Sequence, residues 1–379
     1  MTEKLYYKDA YIKDFSAEVL SVTECEGGFD VILDKTAFFP EEGGQSADTG
    51  VIGSSPVIYV YEKDGIVHHI TKTSPLVGVA LCRIDFDERF EKMQLHTAEH
   101  ILCGIIHKLY GLENVGFHLG EEEVVFDVNG TLSREELNRV EEIANEAVFS
   151  NIEIETFFPN SDELFSLEYR AKLDITENVR IVKIGDVDSC ACCAPHVRRT
   201  GEIGLIKILE FMKHRGGTRI WMVAGRRALS DYRKKYSNIQ RISALLSTPQ
   251  HDTADALEKY MRDADGVRSL LKSSRAALAE AEAKSMRDSE GNKVVKLNDY
   301  SVDELRAFVN AYKARVGGLT VAISGRDGDY KYVIASNDRE LSQEIKKINE
   351  SLSGRGGGRG FMVQGSFLTD EESIRAYFK

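Results

Sequence analysis

From residue 4 to about residue 85, short runs rich in β-forming residues alternate with turns marked by Gly and Asp. Short runs between such turns are typical of strands in an all-β region. The pattern predicts a small β-barrel or meander, with strands at residues 17–22, 28–33, 55–61, 65–71 and 78–84.

Helical spacing of apolar residues follows from Asp87 to about Tyr110, and a second helix is predicted from Ser133 to about Ser150. Beyond these helices the strand pattern returns, at residues 152–158, 179–184, 203–211 and 218–223. Strands and helices mixed in this order predict an α+β middle domain.

After Tyr232 the pattern is helical and polar, and it breaks near Pro249, because proline inside a helix removes a backbone hydrogen bond. The next helix carries an apolar seam, interrupted at Ser274, with the alternating three- and four-residue spacing of a coiled coil or helical hairpin. The seam comprises Leu257, Tyr260, Ala264, Val267, Leu271, Leu278 and Ala281. The end of the chain is predicted as a small α/β module with helices from residues 302 and 338, strands at 319–324 and 330–335, and a glycine-rich loop.

The fold class is therefore predicted as α+β, in three domains. Residues 1–85 are expected to form the β-barrel, residues 86–232 the α+β domain, and residues 233–379 a helical linker with the C-terminal α/β domain. A length of 379 residues exceeds what one hydrophobic core usually supports. Hydrophobic and charged fractions of 42% and 29% are typical of a folded, soluble chain.

The N-terminus has no basic segment followed by an apolar run, and no stretch reaches roughly 18 uninterrupted apolar residues. We therefore expect a cytoplasmic protein that is neither secreted nor membrane-spanning. Three of the 6 cysteines lie within residues 190–193, too close together to form disulfide bonds that would link distant parts of the fold. This placement predicts a reduced chain with a metal or reactive site at that cluster.

The net charge of −12 argues against a protein that binds nucleic acid through an overall positive field. A local basic surface remains available, because Lys and Arg residues are frequent between residues 198 and 227. From sequence, that stretch fits specific RNA binding and a solvated face of mixed charge equally well.

Two pairs of metal-binding residue types share one spacing. His96 and His100 are four residues apart, which on a helix places both imidazoles on one face. Cys192 and His196 repeat the spacing, with Pro195 favouring a turn between them. The first pair alone could be two ordinary histidines, but nitrogen and sulfur donors in two such pairs predict one Zn²⁺ per chain.

The four donors would complete a tetrahedron, whereas catalytic zinc usually keeps one position open. The sequence leaves open whether the ion expands its coordination or only orients the substrate while an ordinary water attacks. Cys190 and Cys193 lie close enough to compete with Cys192 as the sulfur ligand.

Four segments, in order along the chain, resemble the AlaX family of free-standing alanyl-tRNA editing proteins, and equally the editing and C-terminal parts of alanyl-tRNA synthetase. They are the glycine-rich segment 38–50, the histidine motif 96–100, the segment 179–204 around Cys192 and His196, and the glycine-rich segment 354–359 with Gln364. The chain departs from the family pattern at Cys193-Ala194-Pro195 and at Gly360-Phe361.

This resemblance implies a zinc-dependent hydrolase that removes serine, and also glycine, from alanine tRNA. No aminoacylation domain fits ahead of residue 34, so we expect editing in trans without ATP. A pocket shaped for alanine rejects an added hydroxyl by only roughly 10², which explains the need for a second, hydrolytic site. The family and the apolar seam together imply a homodimer formed through the C-terminal region.

The resemblance also suggests roles for single residues. Gln45 is the polar candidate in the glycine-rich segment near the substrate, and His118 lies in a stretch expected beside the pocket, although a lone histidine in a strand is more often structural. Glu99 could act as general base, but helix geometry turns it away from His96 and His100 and favours exposure. Candidate tRNA contacts are Arg199, Arg219, Arg226, Arg355 and Arg359.

The second glycine-rich segment lacks the Gly-Lys-Ser ending of a nucleotide-binding loop, so backbone contact with tRNA phosphate is expected there.

Two other functions remain open. His96-x-x-Glu99-His100 matches the inverzincin metallopeptidase signature, with an acid such as Glu177 as third ligand. Alternatively the zinc is structural, and the protein binds RNA without catalysis.

Overall fold

The fold is described from a computed structural model for residues 1–171 and 179–379. The chain divides into two compact units, residues 1–239 and residues 240–379. Across these described ranges, no helix combines the length and the apolar character needed to cross a bilayer.

The N-terminal part of the first unit is an antiparallel barrel. The barrel strands are β2 (Asp14–Cys25), β3 (Gly28–Leu33), β5 (Gly50–Ile52), β6 (Ser55–Lys63), β7 (Ile66–Thr71) and β8 (Gly78–Ile84). Two further short strands, β1 (Glu3–Lys4) and β4 (Lys35–Thr36), form a separate parallel pair. Pairing runs β2–β3–β7–β6–β5–β8 and returns from β8 to β2. Alternate residues such as Val19, Val31 and Val67 fill its interior. Five strands overlap the predicted runs, and β5 was missed because three residues carry too little pattern.

The rest of the first unit places one long helix between two sheets. Its elements are α1 (Phe86–Tyr110), β9 (Asn114–Leu119), β10 (Val124–Val128), α2 (Arg134–Phe149), β11 (Ile154–Phe157), α3 (Ser161–Ser166), β12 (Ile181–Ile184), β13 (Asp188–Ala191), β14 (Ile206–His214), β15 (Gly217–Ala224) and α4 (Gly225–Leu246). The sheets run β14–β15–β10–β9 and β11–β12–β13, and α1 contacts both.

Helix α1 has no solvent-facing side over most of its length. The Asp85 side chain caps its N-terminus, Gly111 ends it in the left-handed conformation, and every residue from Lys92 to Ile106 is buried. Glu99 is only 2% exposed. The expectation that Glu99 is exposed is therefore wrong, because both sheets and α2 pack around the helix.

The second unit is a five-stranded sheet covered by helices. Its elements are α5 (Thr253–Ser285), β16 (Lys293–Lys296), α6 (Val302–Tyr312), β17 (Thr320–Arg326), β18 (Asp329–Ala335), α7 (Glu344–Ser351), β19 (Gly354–Arg359), β20 (Met362–Phe367) and α8 (Glu371–Tyr377). The order is β16–β17–β18–β20–β19, with only β16 and β17 parallel. The helix predicted from Asp338 begins at Glu344.

The second glycine-rich segment is an edge strand, so the predicted loop is wrong. Residues Gly354–Arg359 form β19 and pair with β20, Gly356 opposite Gly365. A Cβ on either of these two glycines would lie 2.7 Å from the Tyr332 hydroxyl oxygen. The backbone carbonyl oxygens of Gln364 and Arg355 on the paired strand would lie closer still. The glycines are therefore required by the close approach of the paired strand and by the tyrosine packed against it, reasons that glycine content alone does not reveal.

Candidate metal centre

Four side chains with metal-binding atoms converge in the first unit. Helix α1 presents His96 and His100 one turn apart, and the turn after β13 presents Cys192 and His196. The Cys192 Sγ lies 3.6 Å from His96 Nε2 and 3.4 Å from His196 Nε2. One ligand atom from each of the four residues lies within 4.8 Å of the others, so this group could hold a metal ion.

The other nitrogen of each histidine has a protein partner. Nδ1 of His96 lies 2.9 Å from Gln45 Oε1, and Nδ1 of His100 lies 3.1 Å from Asp188 Oδ2. Nδ1 of His196 lies 3.0 Å from Thr97 Oγ1. An amide oxygen and a carboxylate only accept, so His96 and His100 donate from Nδ1. The Nε2 lone pairs are then free to bind a metal, as in protein zinc sites.

The charge state of the cluster suits a metal. Burial alone would raise the pKa of the Cys192 thiol, but the imidazoles of His96, His100 and His196 hold that pKa well below its usual value. Burial lowers the pKa of His196 to about 3 and keeps the ring neutral. Burial alone would lower the pKa of His100, but Cys190, Asp188 and Cys192 raise it well above its usual value. Thiolate sulfur and neutral imidazole nitrogen are the forms that bind zinc, so zinc binding would displace a proton from the His100 ring.

The two competing cysteines differ from Cys192 in their surroundings. Cys190 forms a second possible metal group with His100 and Asp188. Asp188, however, already accepts two hydrogen bonds from Arg170, at 2.8 and 2.9 Å, and holds His100 by Nδ1. Burial raises the pKa of Cys190 to about 11 and that of Cys193 still further. These surroundings favour Cys192 as the sulfur ligand.

The glycine-rich segment is fastened to one face of α1 by three contacts at helical spacing. Arg89 forms a buried ion pair with Asp48, Lys92 Nζ donates to the Ala47 carbonyl at 2.7 Å, and His96 contacts Gln45. These three helix residues, at positions i, i+3 and i+7, lie on one face of α1. The segment therefore runs antiparallel to the helix along this face. Gln45 is fully buried, and its Nε2 has no hydrogen-bond partner among the described residues.

A cavity of about 480 Å³ opens beside the histidine and cysteine side chains. Glu99 lines it together with the aromatic rings of Tyr7, Phe117 and Phe158. The Phe117 ring lies against His96, with centroids 4.8 Å apart. Gly44 passes so close to Phe117 that a Cβ would lie 2.6 Å from its Cδ1, so a side chain there would displace this wall.

The remaining predicted residues are placed as follows. The Glu99 carboxylate accepts a hydrogen bond from Asn114 Nδ2 and one from Cys103 Sγ. His118 is exposed on β9 and is not among the residues that line the cavity. Glu177 lies outside the described residues, so the alternative ligand set is not described.

The candidate tRNA-binding arginines fall into two groups. Arg219 donates twice to Asp127 at 2.8 Å, Arg226 pairs with Asp87 at 3.1 Å, and Arg199 donates to the Asn151 carbonyl at 2.6 Å. Arg355 and Arg359 are exposed on β19, and neither forms an ion pair in the described part of the chain.

Sequence reasoning missed Asp188, Arg89 and Asp48. Asp188 precedes Cys192 by one strand, and an acid near a metal-binding cysteine motif is a usable signal for a histidine partner. Arg89 and Asp48 are 41 positions apart, and no local pattern links them.

Residues 179–243 match the family described as the threonyl and alanyl tRNA synthetase second additional domain. The alanyl-tRNA editing protein AlaX-L of Pyrococcus horikoshii is 28% identical, over 99% of this chain and 96% of that protein. An alanine–tRNA ligase of Halorubrum lacusprofundi is 30% identical over 94% of this chain, but the chain spans only 40% of that ligase. The C-Ala domain of the Aquifex aeolicus alanyl-tRNA synthetase aligns with 23% of this chain at 18% identity and a TM-score of 0.21, which is too low to support an argument about the fold.

The match to AlaX-L extends over nearly the full length of both proteins, and it includes the barrel, the histidine and cysteine motifs and the second unit. The synthetase domain match covers the segment that supplies Cys192 and His196. The chain is therefore similar over nearly its full length to the alanyl-tRNA editing protein AlaX-L, and the segment that supplies Cys192 and His196 matches the second additional domain of threonyl and alanyl tRNA synthetases.

Proposed function

We propose that this chain is a cytoplasmic hydrolase that cleaves the ester between alanine tRNA and a wrongly attached amino acid, with serine as the main substrate and glycine as the second. The observation that carries the proposal is the group of four metal-binding side chains, three of which, His96, His100 and Cys192, line a cavity of about 480 Å³. AlaX-L, to which the chain is similar over nearly its full length, is named as an alanyl-tRNA editing protein.

The donor set fits one Zn²⁺ held by His96, His100, Cys192 and His196. Three imidazoles and a thiolate are typical zinc ligands, and the hydrogen bonds at each Nδ1 fix the rings in the orientation that ligation requires. When bound, the ion would supply a positive charge that polarises an oxygen of the substrate or of water.

The reaction is ester hydrolysis. A water oxygen bonds to the carbonyl carbon, the bond from that carbon to the ribose oxygen breaks, and the products are a free amino acid and the tRNA hydroxyl. Gln45, Asp188 and Thr97 act on this reaction by orienting the imidazoles. Glu99 lines the cavity as a buried carboxylate and is our candidate for proton transfer.

Substrate selection requires a polar group that recognises the serine hydroxyl. Gln45 is our candidate: it lies behind the cavity lining next to Gly44, and its buried Nε2 has no hydrogen-bond partner among the described residues. A site built to pair with a hydroxyl rejects an analogue without it by as much as roughly 10⁴, which would spare alanyl-tRNA. We assign no step to His118.

Positive side chains on both units are proposed to contact the tRNA backbone. Arg355 and Arg359 are the stronger candidates, since their guanidinium groups are exposed without an acidic partner in the described residues. Arg199, Arg219 and Arg226 are proposed as secondary contacts, because each already donates to a protein oxygen.

Two other functions account for less of the structure. A metallopeptidase would use Glu99 to activate water and would leave Cys192 and His196 without a role, although both lie in the metal group. A noncatalytic RNA-binding factor would not need a cavity beside the metal group. Release of serine, glycine and alanine from charged alanine tRNA separates these possibilities, and we expect rapid release of serine and slower release of glycine. No release of any amino acid would favour the binding factor.

We also propose a homodimer formed through α5, because seam residues Leu257, Tyr260, Val267, Leu271 and Leu278 are all exposed in the single chain. Leu271→Glu should shift the protein from dimer to monomer, because the charge would be buried at the seam. Sedimentation equilibrium measures the change. Ser273→Glu, exposed off the seam on the same helix, should leave the dimer intact, and a dimeric Leu271→Glu protein would contradict this interface.

A further inference from the structure

The aromatic side chains around the cavity have different surroundings. The Phe117 ring lies against His96 and forms the inner wall. Phe158 lines the same cavity but is 50% exposed, so it lies at the mouth with part of its ring in solvent. An exposed ring at the opening of a substrate cavity is a surface on which a planar group can stack.

The backbone holds Phe158 in place from both sides. It directly follows β11, and Pro159 after it restricts its backbone to extended conformations. Asn160 then caps α3, accepting hydrogen bonds from the backbone of Asp162 and Glu163. The position of the ring at the mouth is therefore preorganised.

Tyr7 supports Phe158 from the side. The two rings meet edge to face, with centroids 5.4 Å apart and an interplanar angle of 73°. Tyr7 itself is fixed by the neighbouring Tyr6, which is buried against Phe39 and Ala194. Because the contact uses a ring edge, it leaves aromatic surface at the mouth for a ligand.

The charge beside these rings fits a nucleotide. The Arg180 guanidinium lies 5.4 Å from the Tyr7 ring centroid, and it is held there by hydrogen bonds of 2.9 Å to the carbonyls of Cys192 and Ala194. Lys4 Nζ lies 5.5 Å from the same centroid and also pairs with Glu62. Positive groups beside an aromatic surface are the combination that binds single-stranded nucleotides.

We propose that Phe158, supported by Tyr7, is the stacking site for the terminal adenine of the charged tRNA. This inference rests on the proposed function, in which the ester to be cut lies on the ribose of that same nucleotide. The base is joined to the ester through one ribose, so a substrate whose ester lies at the metal group carries its adenine towards the mouth. Stacking holds the terminal nucleotide whichever amino acid is attached, and selection is left to the inner wall.

The test is a binding cycle in which the adenine is removed from the probe and the aromatic ring is removed from residue 158, separately and together. The probes are 3′-serylamino-3′-deoxyadenosine, whose amide resists hydrolysis, and the same compound with hydrogen in place of adenine. Calorimetric titration of the zinc-loaded protein should show that removing the base weakens binding by about 5- to 100-fold. In Phe158→Leu the same removal should change binding by less than about twofold, while Phe158→Trp should keep the full effect.

Phe149→Leu is the matched control, because this phenylalanine is 74% exposed at the end of α2 and does not line the cavity. It should behave as wild type. If removing the base weakens probe binding equally in wild type and in Phe158→Leu, the stacking site is overturned. It is also overturned if a wild-type protein that releases serine from seryl-tRNA binds both probes with equal affinity. A wild-type protein that binds neither probe and releases no serine overturns the proposed function, and the stacking site with it.

Discussion

Cys192→Ala should lose its zinc and about 10³-fold of its rate on seryl-tRNA. The Cys192 thiolate is the only sulfur in the four-donor group, and loss of one ligand leaves three neutral imidazoles with no negative charge to balance the ion. A bound metal contributes several kcal/mol to charge stabilisation during hydrolysis, which corresponds to a rate factor of this size. Metal analysis after dialysis and single-turnover deacylation measure the two losses.

Cys190→Ala and Cys193→Ala are the matched controls, because both cysteines lie beside Cys192 in the sequence and line the same cavity. Both variants should keep one zinc per chain. Full zinc occupancy in Cys192→Ala, with loss of zinc from either neighbour variant, would assign the sulfur ligand to that neighbour.

Arg89→Met should destabilise the first unit by about 3–5 kcal/mol, because it leaves the Asp48 carboxylate buried without its charged partner. Both side chains of this pair are 1% exposed. Arg89 also donates to the carbonyls of Ala10 and Ala37, at 3.1 and 2.7 Å, so its removal affects three segments at once. Urea unfolding followed by the fluorescence of Trp221, the single tryptophan, reports on this unit.

Adding Asp48→Asn to Arg89→Met should recover much of that stability, since a neutral amide is cheaper to bury and can still accept from the Phe39 backbone N–H, as Asp48 does at 2.6 Å. The exposed pair Arg83–Asp14 is the control, and Arg83→Met should change unfolding little. A free energy of unfolding for Arg89→Met within about 1 kcal/mol of wild type would contradict the role of the buried pair.

Much of this site follows from local sequence spacing. A helix fixes the geometry of residues four positions apart, so His96 and His100 had to share a face once the region was helical. A turn at Pro195 similarly brings Cys192 towards His196. The helix boundaries near Ser133 were also predictable, because this serine and Glu136 form a capping box.

Contacts between distant segments were not predictable in this way. The helical pattern of α1 suggested an exposed Glu99, yet the helix is buried by sheets whose strands come from separate parts of the chain. Likewise, Gly356 and Gly365 are explained by the backbone of the strand that each one faces and by Tyr332, which belongs to a third strand. The sequence shows where a glycine gives the backbone conformational freedom, but it does not show which packed neighbour excludes a side chain at that position.

The same limit applies to the hydrogen bonds that orient the metal-binding histidines. Gln45 and Asp188 lie 51 and 88 positions from the histidines that they contact. The family resemblance placed Gln45 near the substrate, but only the fold shows that its Oε1 contacts Nδ1 of His96.

The most direct measurement of the central claim is single-turnover deacylation of seryl-tRNA(Ala) and alanyl-tRNA(Ala), with wild type beside His96→Ala. Wild type should release serine faster than alanine by as much as roughly 10⁴, because only serine offers a hydroxyl to the buried polar group. His96→Ala should lose most of the serine release, because it removes a donor from the metal group. Equal wild-type rates on the two tRNAs, or full activity in His96→Ala, would contradict selective, metal-dependent editing.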